Sequence, residues 1–296
     1  MPAKPPEPRI LPGLTMDELA EAYLLECNRR DAFTLDLGDF LPDFYTHVRP
    51  IAPGDVVVVM ADTGNCKTLT LQHIAQAFHP EPVMFFELEV TGALLFERFA
   101  AFFNGLRPVD VEQRFKTSPH AIGAVDWQGL SHIWTCTESR LNLNDVEATV
   151  RAAIDHKIPG ILSRPKAVFL DYLGLFSASE GTSRYERITS IADNLRPLAK
   201  TLNIALFVSV QIHRKGDNQS PEVGLHDAKD SGNIEQAATL LLGQWIEGDT
   251  LNLRICKNTK GRAGPTIAAR WNGDLMQITS RTPVLEPADL GEHYSP

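Results

Sequence analysis

The chain has 296 residues, of which 43% are hydrophobic and 22% are charged, a composition typical of an ordinary soluble globular protein. No apolar run approaches the stretch of about 20 residues that a membrane helix needs, so we expect a cytoplasmic protein without a membrane partner. The net charge of −9 excludes a global attraction to nucleic acid, so any DNA binding must come from local groups of lysine and arginine.

The two ends of the chain differ from its middle. Residues 1–13 are rich in proline and are predicted to be disordered. Residues 14–32 are predicted to form a linker-like amphipathic helix with Thr15 as its N-cap. This helix either packs on its own domain or docks on a neighbouring subunit, and the sequence favours neither. Residues 283–296 are predicted to be a flexible tail, which leaves residues 33–282 as one domain.

The middle of the chain alternates predicted strands and helices. The strands are expected at about residues 55–60, 82–89, 133–138, 167–173 and 205–211. The helices are expected at 67–78, 92–104, 144–157 and 185–202. This alternation predicts an α/β fold with a mostly parallel sheet and helices on both faces. A short helix at 231–238 and closely spaced strands at 239–246, 251–257 and 266–271 predict C-terminal antiparallel hairpins.

A phosphate-binding loop is predicted directly after the first strand. The segment Ala61-Asp-Thr-Gly-Asn-Cys-Lys67-Thr68 follows the P-loop pattern, but Ala61 and Cys66 stand where that pattern has glycine. Lys67 is expected to reach the β- and γ-phosphates of ATP, and Thr68 is expected to bind Mg²⁺. The loop offers backbone N–H groups at a helix N-terminus, a typical anion site. The predicted nucleotide-binding residues are Asp62, Thr63, Gly64, Asn65, Cys66, Lys67 and Thr68. As the alternative to a nucleotide site, the same residues also fit a polar turn between a strand and a helix.

Three more apolar runs end in polar residues. The first ends in Glu87 and Glu89, the second in Asp171 and the third in Gln211. Such residues at the carboxyl edge of an α/β sheet indicate ligand chemistry. Glu89, expected on a buried strand beside the P-loop strand, is predicted to be catalytic. Glu87 faces the opposite side by strand alternation and is predicted to be structural.

From about residue 33 to residue 279 the chain resembles the RecA-like ATPase core of DnaB-family replicative helicases. The matching motifs are Phe85-Phe-Glu-Leu-Glu89, Leu170-Asp-Tyr-Leu173, Val208-Ser-Val-Gln-Ile-His-Arg214, Asp230-Ser-Gly-Asn-Ile-Glu-Gln236 and the hairpin around Cys256-Lys-Asn-Thr-Lys-Gly-Arg-Ala-Gly-Pro265. The resemblance implies an ATP-dependent motor on single-stranded DNA, a DnaB-type helicase of DNA replication. It also implies ATP and Mg²⁺ as cofactors, and a homo-hexamer or another ring or filament.

The resemblance also implies roles for individual residues. Glu89 orients or deprotonates the attacking water, Asp171 supports Mg²⁺ together with Thr68, and Gln211 senses the γ-phosphate. The loop after Gln211 contacts DNA, and its candidate residues are Arg214, Lys215 and Lys229. A solvated loop with incidental charge explains these three cations nearly as well.

The chain departs from the family pattern in three places. Cys66 is expected to crowd the phosphates and slow hydrolysis, and its thiol, beside Lys67 at a helix N-terminus, is expected to have a lowered pKa. The family carries lysine, one residue, then arginine in the hairpin that reaches a neighbour's γ-phosphate, whereas Lys257 is followed at that spacing by Thr259. Lys257, Lys260 and Arg262 are the catalytic candidates there, and a solvated turn is the alternative.

The third departure is the short segment before the core, which is too short for the family's helical N-terminal domain. A phage or mobile-element version of the core, or a chain that takes its accessory domain from a partner, would fit. A separate accessory or primase-like protein is therefore a candidate partner. Two other functions remain open. One is a RecA-like recombinase or helicase loader, and the other is a nucleotide-binding scaffold that does not hydrolyse ATP.

Overall fold

The computed structural model describes residues 15–33, 35–118, 120, 123–158, 163–176, 184–212, 221–225, 227 and 232–281. The predicted disordered tails, residues 1–13 and 283–296, lie outside these ranges. By its internal contacts the chain divides into two units, Met1–Thr34 and Leu35–Pro296. Among the described residues, none of the helices combines the length and apolar character that crossing a membrane requires.

The first unit contains one described helix, α1 (Met16–Phe33), close to its predicted bounds. Its N-terminus is capped reciprocally, because Glu18 N donates to Thr15 Oγ1 at 3.3 Å and Thr15 N donates to Glu18 Oε2 at 2.7 Å. The predicted N-cap at Thr15 is confirmed.

The second unit holds the other regular elements. The strands are β1 (Val56–Ala61), β2 (Val83–Glu87), β3 (Ile133–Cys136), β4 (Ala167–Asp171), β5 (Ala205–Gln211), β6 (Leu240–Glu247), β7 (Thr250–Asn258), β8 (Thr266–Asn272) and β9 (Gln277–Ser280). The helices are α2 (Lys67–Ala77), α3 (Gly92–Asn104), α4 (Pro108–Thr117), α5 (Leu143–Ile154), α6 (Arg184–Leu202) and α7 (Gly232–Ala237).

The described strands form one sheet with the order β3-β2-β4-β5-β1-β6-β7-β8-β9. The neighbours from β3 to β6 pair in parallel, and those from β6 to β9 pair antiparallel. The predicted mostly parallel sheet with C-terminal antiparallel hairpins is confirmed.

Strand β1 is apolar along its whole length because it lies in the middle of the sheet with both faces covered. Its alternating side chains enter two separate cores. Val58 and Met60 pack in one core with residues of α5 and α6, and Val57 and Val59 pack in the other with residues of α2 and α3. Since β5 and β6 flank β1 in parallel, the loop after Ala61 emerges at the carboxyl edge of the sheet.

Two elements were not predicted. Helix α4 begins with a proline and buries one residue, Val111, so it carries little hydrophobic periodicity. Strand β9 has four residues with one buried side chain, Ile278, and pairs with β8 at the end of the sheet.

Candidate nucleotide site

A cavity of about 300 Å³ lies at the carboxyl edge of the sheet, where the loops after β1, β2, β4 and β5 converge. Its wall includes most of the residues predicted to bind nucleotide, together with residues from α3 and the β8–β9 hairpin. The lining residues are Thr63, Gly64, Cys66, Lys67, Thr68, Leu69, Glu89, Val90, Arg98, Asp171, Tyr172, Gln211, Trp271, Gly273 and Met276. Of the predicted loop residues, Asp62 and Asn65 do not line the cavity.

Lys67 is the first residue of α2 and stands on the cavity wall. Its Nζ donates to the Asp62 carbonyl oxygen at 2.9 Å, so the side chain folds back over its own loop. Burial lowers the pKa of Lys67, and the nearby carboxylates of Asp171 and Glu89 oppose that shift. A cation that has already lost solvent and faces acidic groups is suited to hold phosphate oxygens.

Asn65 and Thr63 tie the phosphate-binding loop to two strands of the sheet. Asn65 Oδ1 accepts the N–H of Ile246 at 3.0 Å, and the buried Gln244 donates to the Asn65 carbonyl oxygen. On the other side, Gln211 Nε2 donates to Thr63 Oγ1 at 2.6 Å. The loop is therefore held between β5 and β6, and the predicted γ-phosphate sensor Gln211 touches it directly.

Cys66 adopts a left-handed backbone conformation, with φ 55° and ψ 32°. Glycine enters this region freely, whereas a residue with a Cβ is disfavoured there by about 1–2 kcal/mol. The loop thus keeps a glycine-type conformation without the glycine. Burial raises the pKa of the Cys66 thiol more than Arg98 and Lys67 lower it, so the expectation of a lowered pKa was wrong.

Asp171 ends β4 and is 1% exposed. Its Oδ1 accepts a hydrogen bond from Ser209 Oγ, and its carboxylate also forms a side-chain hydrogen bond with the buried Glu87. Asp171 also lines the cavity, so its carboxylate is placed to ligate a cation there. Oxygen ligands such as this carboxylate and the Thr68 hydroxyl fit Mg²⁺.

Glu87 ends β2 directly opposite Asp171 and is fully buried. Its Oε1 accepts the N–H groups of Glu89 at 2.8 Å and of Val90 at 3.2 Å. Burial and the neighbouring Asp171 raise the pKa of Glu87 to about 9, so the carboxyl keeps its proton at neutral pH. These contacts agree with the structural role predicted for Glu87.

Glu89 lies beyond the end of β2 and is exposed on the cavity wall. Its expected place on a strand beside the P-loop strand was wrong, since β4 and β5 separate β2 from β1. The strand ends earlier because the Glu87 side chain accepts the N–H groups of Glu89 and Val90, which turns the chain. The turn nevertheless brings Glu89 to the same cavity as Lys67 and Asp171.

Sequence reasoning missed Arg98 of α3 and Trp271 of β8, which line the cavity. Arg98 is half-buried on a strongly apolar helix. A single cation in such a helix is a sequence feature that could have indicated a functional residue. Among the described residues Arg98 shows no ion pair, and it shares the cavity wall with the carboxylates of Glu89 and Asp171. Trp271 carried no signal, because its position depends on the unpredicted hairpin with β9.

The hairpin cations do not join this cavity. Asn258 at the end of β7 pairs with Leu240 at the start of β6, and β6 starts beside Val57 at the start of β1. The turn after β7 therefore lies at the amino end of β1, opposite the phosphate-binding loop of the same chain.

Each of the three hairpin candidates has a different environment. Lys257 donates to the Glu235 carbonyl oxygen of α7, and Lys260 forms an ion pair with Asp55. Arg262 is exposed. The predicted DNA-binding residues Arg214, Lys215 and Lys229 lie outside the described residues.

Comparison with known proteins identifies the family. Residues 41–278 match the family model described as "DnaB-like helicase C terminal domain". The chain is 29% identical over 229 residues to a "Probable plasmid replicative DNA helicase" of Chlamydia trachomatis serovar L2. The aligned region covers 72% of this chain and 49% of the relative. The chain thus spans about half the length of the curated relatives it matches.

Two solved structures share the fold. One of them, described as an "ATPase Domain", superposes with a TM-score of 0.74 at 18% identity, covering 92% of this chain and 99% of that one. The structure of "A DnaB-Like Replicative Helicase And Its Interactions With Primase" also gives 0.74 at 18% identity, covering 93% of this chain and 68% of that one. With a family model matched along most of its length and the RecA-like architecture present, this chain belongs to the family of DnaB-like helicase C-terminal domains.

Proposed function

We propose that the chain is an ATP-dependent motor on single-stranded DNA, a DnaB-type helicase acting in DNA replication. The observation that carries this proposal is the convergence of Lys67, Glu89, Asp171 and Gln211 on one cavity from four separate strand ends. The cavity thus combines a cation that can bind phosphate, two carboxylates and an amide. Phosphoryl transfer to water requires these groups.

The proposed chemistry depends on positioning and on charge. Lys67 and the backbone N–H groups of its loop hold the phosphates, while Thr68 and Asp171 hold Mg²⁺, which supplies neutralisation of phosphate charge. The Glu89 carboxylate orients the attacking water and accepts its proton. Gln211 contacts the γ-phosphate and passes the nucleotide state to the following loop.

Two residues on the cavity wall extend the nucleotide site. Arg98, which shows no ion pair among the residues that the structure describes, is suited to a second phosphate contact, since its guanidinium offers several N–H donors. Trp271 lies on the part of the wall formed by the β8–β9 hairpin, and its indole is suited to stacking on the base.

The position of the hairpin turn supports an ATP site shared between copies of the chain. The turn lies at the sheet edge opposite its own phosphate-binding loop, so the exposed Arg262 lies away from its own site and is available to a second copy. Counted from Lys257, the family spacing fails at Thr259. The family pattern of lysine, one residue, then arginine is found three positions further along the chain, at Lys260, Gly261 and Arg262. A ring or filament with head-to-tail contacts follows, with a homo-hexamer as the proposed form.

Single-stranded DNA and a primase-like accessory protein are the proposed partners. Arg214, Lys215 and Lys229 remain the proposed DNA contacts, which would bind phosphates without regard to sequence.

The proposal is tested by steady-state ATP hydrolysis with and without single-stranded DNA, in the wild type and in Lys67→Ala. Lys157→Ala is the matched control, because Lys157 is an exposed lysine paired with Asp155, and neither residue lines the cavity. We expect DNA-stimulated turnover in the wild type and the control, and its loss in Lys67→Ala. Equal turnover in Lys67→Ala would refute the site, and turnover without DNA stimulation would refute the motor.

Cys66 favours a second candidate, a nucleotide-binding scaffold that does not hydrolyse ATP. Its left-handed backbone places a Cβ on the cavity wall where the P-loop pattern has none. The scaffold predicts nucleotide binding and assembly with negligible turnover, and recovery of turnover in Cys66→Gly.

A further inference from the structure

We propose that Gln244 of β6 is a positioning residue of the nucleotide site, which holds Cys66 in its left-handed conformation before the nucleotide arrives. The inference rests on the proposed function and deepens it, since it names what keeps the phosphate-binding loop in shape without the usual glycine. Gln244 does not line the cavity, and it acts on the loop through Asn65.

Gln244 is a buried polar residue on an otherwise apolar stretch of β6. Its side chain is 0% exposed, and it lies on the same face of the strand as Leu240 and Leu242, which pack in the core with residues of α2 and α3. β6 pairs with β1 as far as Ala61, opposite Gln244, so the amide stands where the P-loop strand ends. A buried amide needs a hydrogen-bond partner, and Gln244 Nε2 finds one in the Asn65 carbonyl oxygen.

Asn65 is held by β6 at two points. Its carbonyl oxygen accepts the Gln244 amide, and its Oδ1 accepts the N–H of Ile246 at 3.0 Å. Ile246 is the second residue after Gln244, so one short stretch of the strand supplies both contacts. The backbone of Asn65 therefore cannot rotate without breaking a hydrogen bond to β6.

The two peptide planes on either side of Cys66 are both fixed. Gln244 fixes the plane between Asn65 and Cys66 through the Asn65 carbonyl. The Cys66 carbonyl oxygen accepts the N–H of Thr70 at 3.0 Å, which fixes the next plane to the first turn of α2. Since peptide units are planar, the two planes determine φ and ψ of the residue between them, here 55° and 32°. Gln244 thus holds one side of Cys66, and α2 holds the other.

The loss of affinity on releasing one plane follows from the backbone preference at position 66. A residue with a Cβ that is free to choose its conformation occupies the left-handed region about 10-fold less than its preferred region, whereas glycine enters it freely. When only about one loop in ten is ready to bind, the apparent Kd rises about 10-fold. The effect of Gln244 should therefore depend on which residue stands at position 66.

Titration calorimetry with MgADP measures this dependence. We expect Gln244→Met, which keeps the side-chain length and removes the amide donor, to raise the Kd about 10-fold. In a Cys66→Gly background the same substitution should raise the Kd by less than about 3-fold. Unchanged affinity in Gln244→Met would overturn the inference, and so would an equal loss in both backgrounds, because a purely structural glutamine would not depend on position 66.

Gln72→Met is the matched control. Gln72 is another buried glutamine, which donates to the carbonyl oxygen of Leu95 at 3.4 Å and does not line the cavity. Its replacement should leave the Kd within about 2-fold of the wild type. A loss in Gln72→Met equal to that in Gln244→Met would overturn the inference, because the effect would then belong to any buried glutamine.

Asn65→Ala tests the second contact from β6 without altering the buried sheet, and it decides the inference if Gln244→Met does not fold. It frees the loop from the Ile246 N–H and should raise the Kd at least about 3-fold with Cys66 present, and by less in the Cys66→Gly background. Affinity equal to that of the wild type would overturn the inference.

ATP turnover separates this inference from the proposed function. Gln244→Met should raise KM about 10-fold and leave kcat unchanged, because a loop that is set before binding contributes equally to the ground state and the transition state. A fall in kcat with unchanged KM would overturn the inference and leave the motor in place. A wild type that binds MgADP without DNA-stimulated turnover would refute the motor, while the Kd values of the variants would still decide the role of Gln244.

Discussion

The left-handed conformation of Cys66 gives the sharpest prediction about the phosphate-binding loop. At φ 55° a Cβ costs about 1–2 kcal/mol relative to glycine. Glycine in turn loses about 0.5–1 kcal/mol through the greater entropy of its unfolded chain. Cys66→Gly should therefore be more stable than Cys66→Ala by about 0.5–1 kcal/mol, or about 1–3 °C in Tm. Both variants remove the half-buried thiol, so the lost sulfur contacts cancel in this comparison.

The assay is thermal and urea unfolding of both variants, followed by ATP turnover. The same argument predicts faster turnover in Cys66→Gly than in Cys66→Ala, because the alanine Cβ stays on the cavity wall. A Cys66→Ala variant as stable as Cys66→Gly would refute the account of strain at this residue.

Three further predictions, one pH dependence and two variants, probe the surrounding framework. His73 packs on Phe102 as a neutral ring, and burial lowers its pKa to about 4 from 6.5. The unfolded chain therefore binds a proton that the folded chain does not, so stability is full above pH 6.5 and falls by about 3 kcal/mol as the pH drops to 4. Gly243→Ala should cost about 1–3 kcal/mol in urea unfolding, because its Cβ would lie 2.9 Å from Cys256 Sγ and still closer to a backbone carbonyl. Ser209→Ala should cost about 1–3 kcal/mol, because it leaves the buried Asp171 Oδ1 without its donor.

Each of these three predictions has a comparison variant. In His73→Gln the loss of stability between pH 6.5 and 4 should be smaller by about 3 kcal/mol than in the wild type. An unchanged loss would contradict the lowered pKa of His73. Gly273→Ala should be nearly neutral, since its Cβ would meet Trp271 at an ordinary 3.6 Å, and an equal cost at Gly243 and Gly273 would refute the packing argument. Ser131→Ala, on an exposed residue, should change nothing, and a neutral Ser209→Ala would refute the bond's contribution.

The central sheet was predictable because each parallel strand is a continuous apolar run with a polar end. Asp171 follows four apolar residues, and the structure places it at the carboxyl edge, where such a residue was expected. The same logic located Lys67 and Gln211. Their strands are buried on both faces, so the local pattern and the tertiary environment agree.

Other features depend on contacts that local patterns do not carry. The end of β2 is set by the Glu87 side chain, which accepts the N–H groups of Glu89 and Val90, so strand periodicity counted through to Glu89 failed. The link between Asp55 and Lys260 joins residues 205 positions apart. Trp271 enters the cavity through pairing of β8 with β9, a strand too short to predict.

The most direct test of a shared ATP site is to mix two inactive variants, Lys67→Ala and Arg262→Ala. In a mixed ring, a Lys67→Ala subunit can offer its intact Arg262 to the intact phosphate-binding loop of an Arg262→Ala neighbour. With equal mixing and head-to-tail contacts, about one interface in four carries both residues. DNA-stimulated turnover should reappear in the mixture at about a quarter of the wild-type rate. A mixture as inactive as its two components would contradict the account.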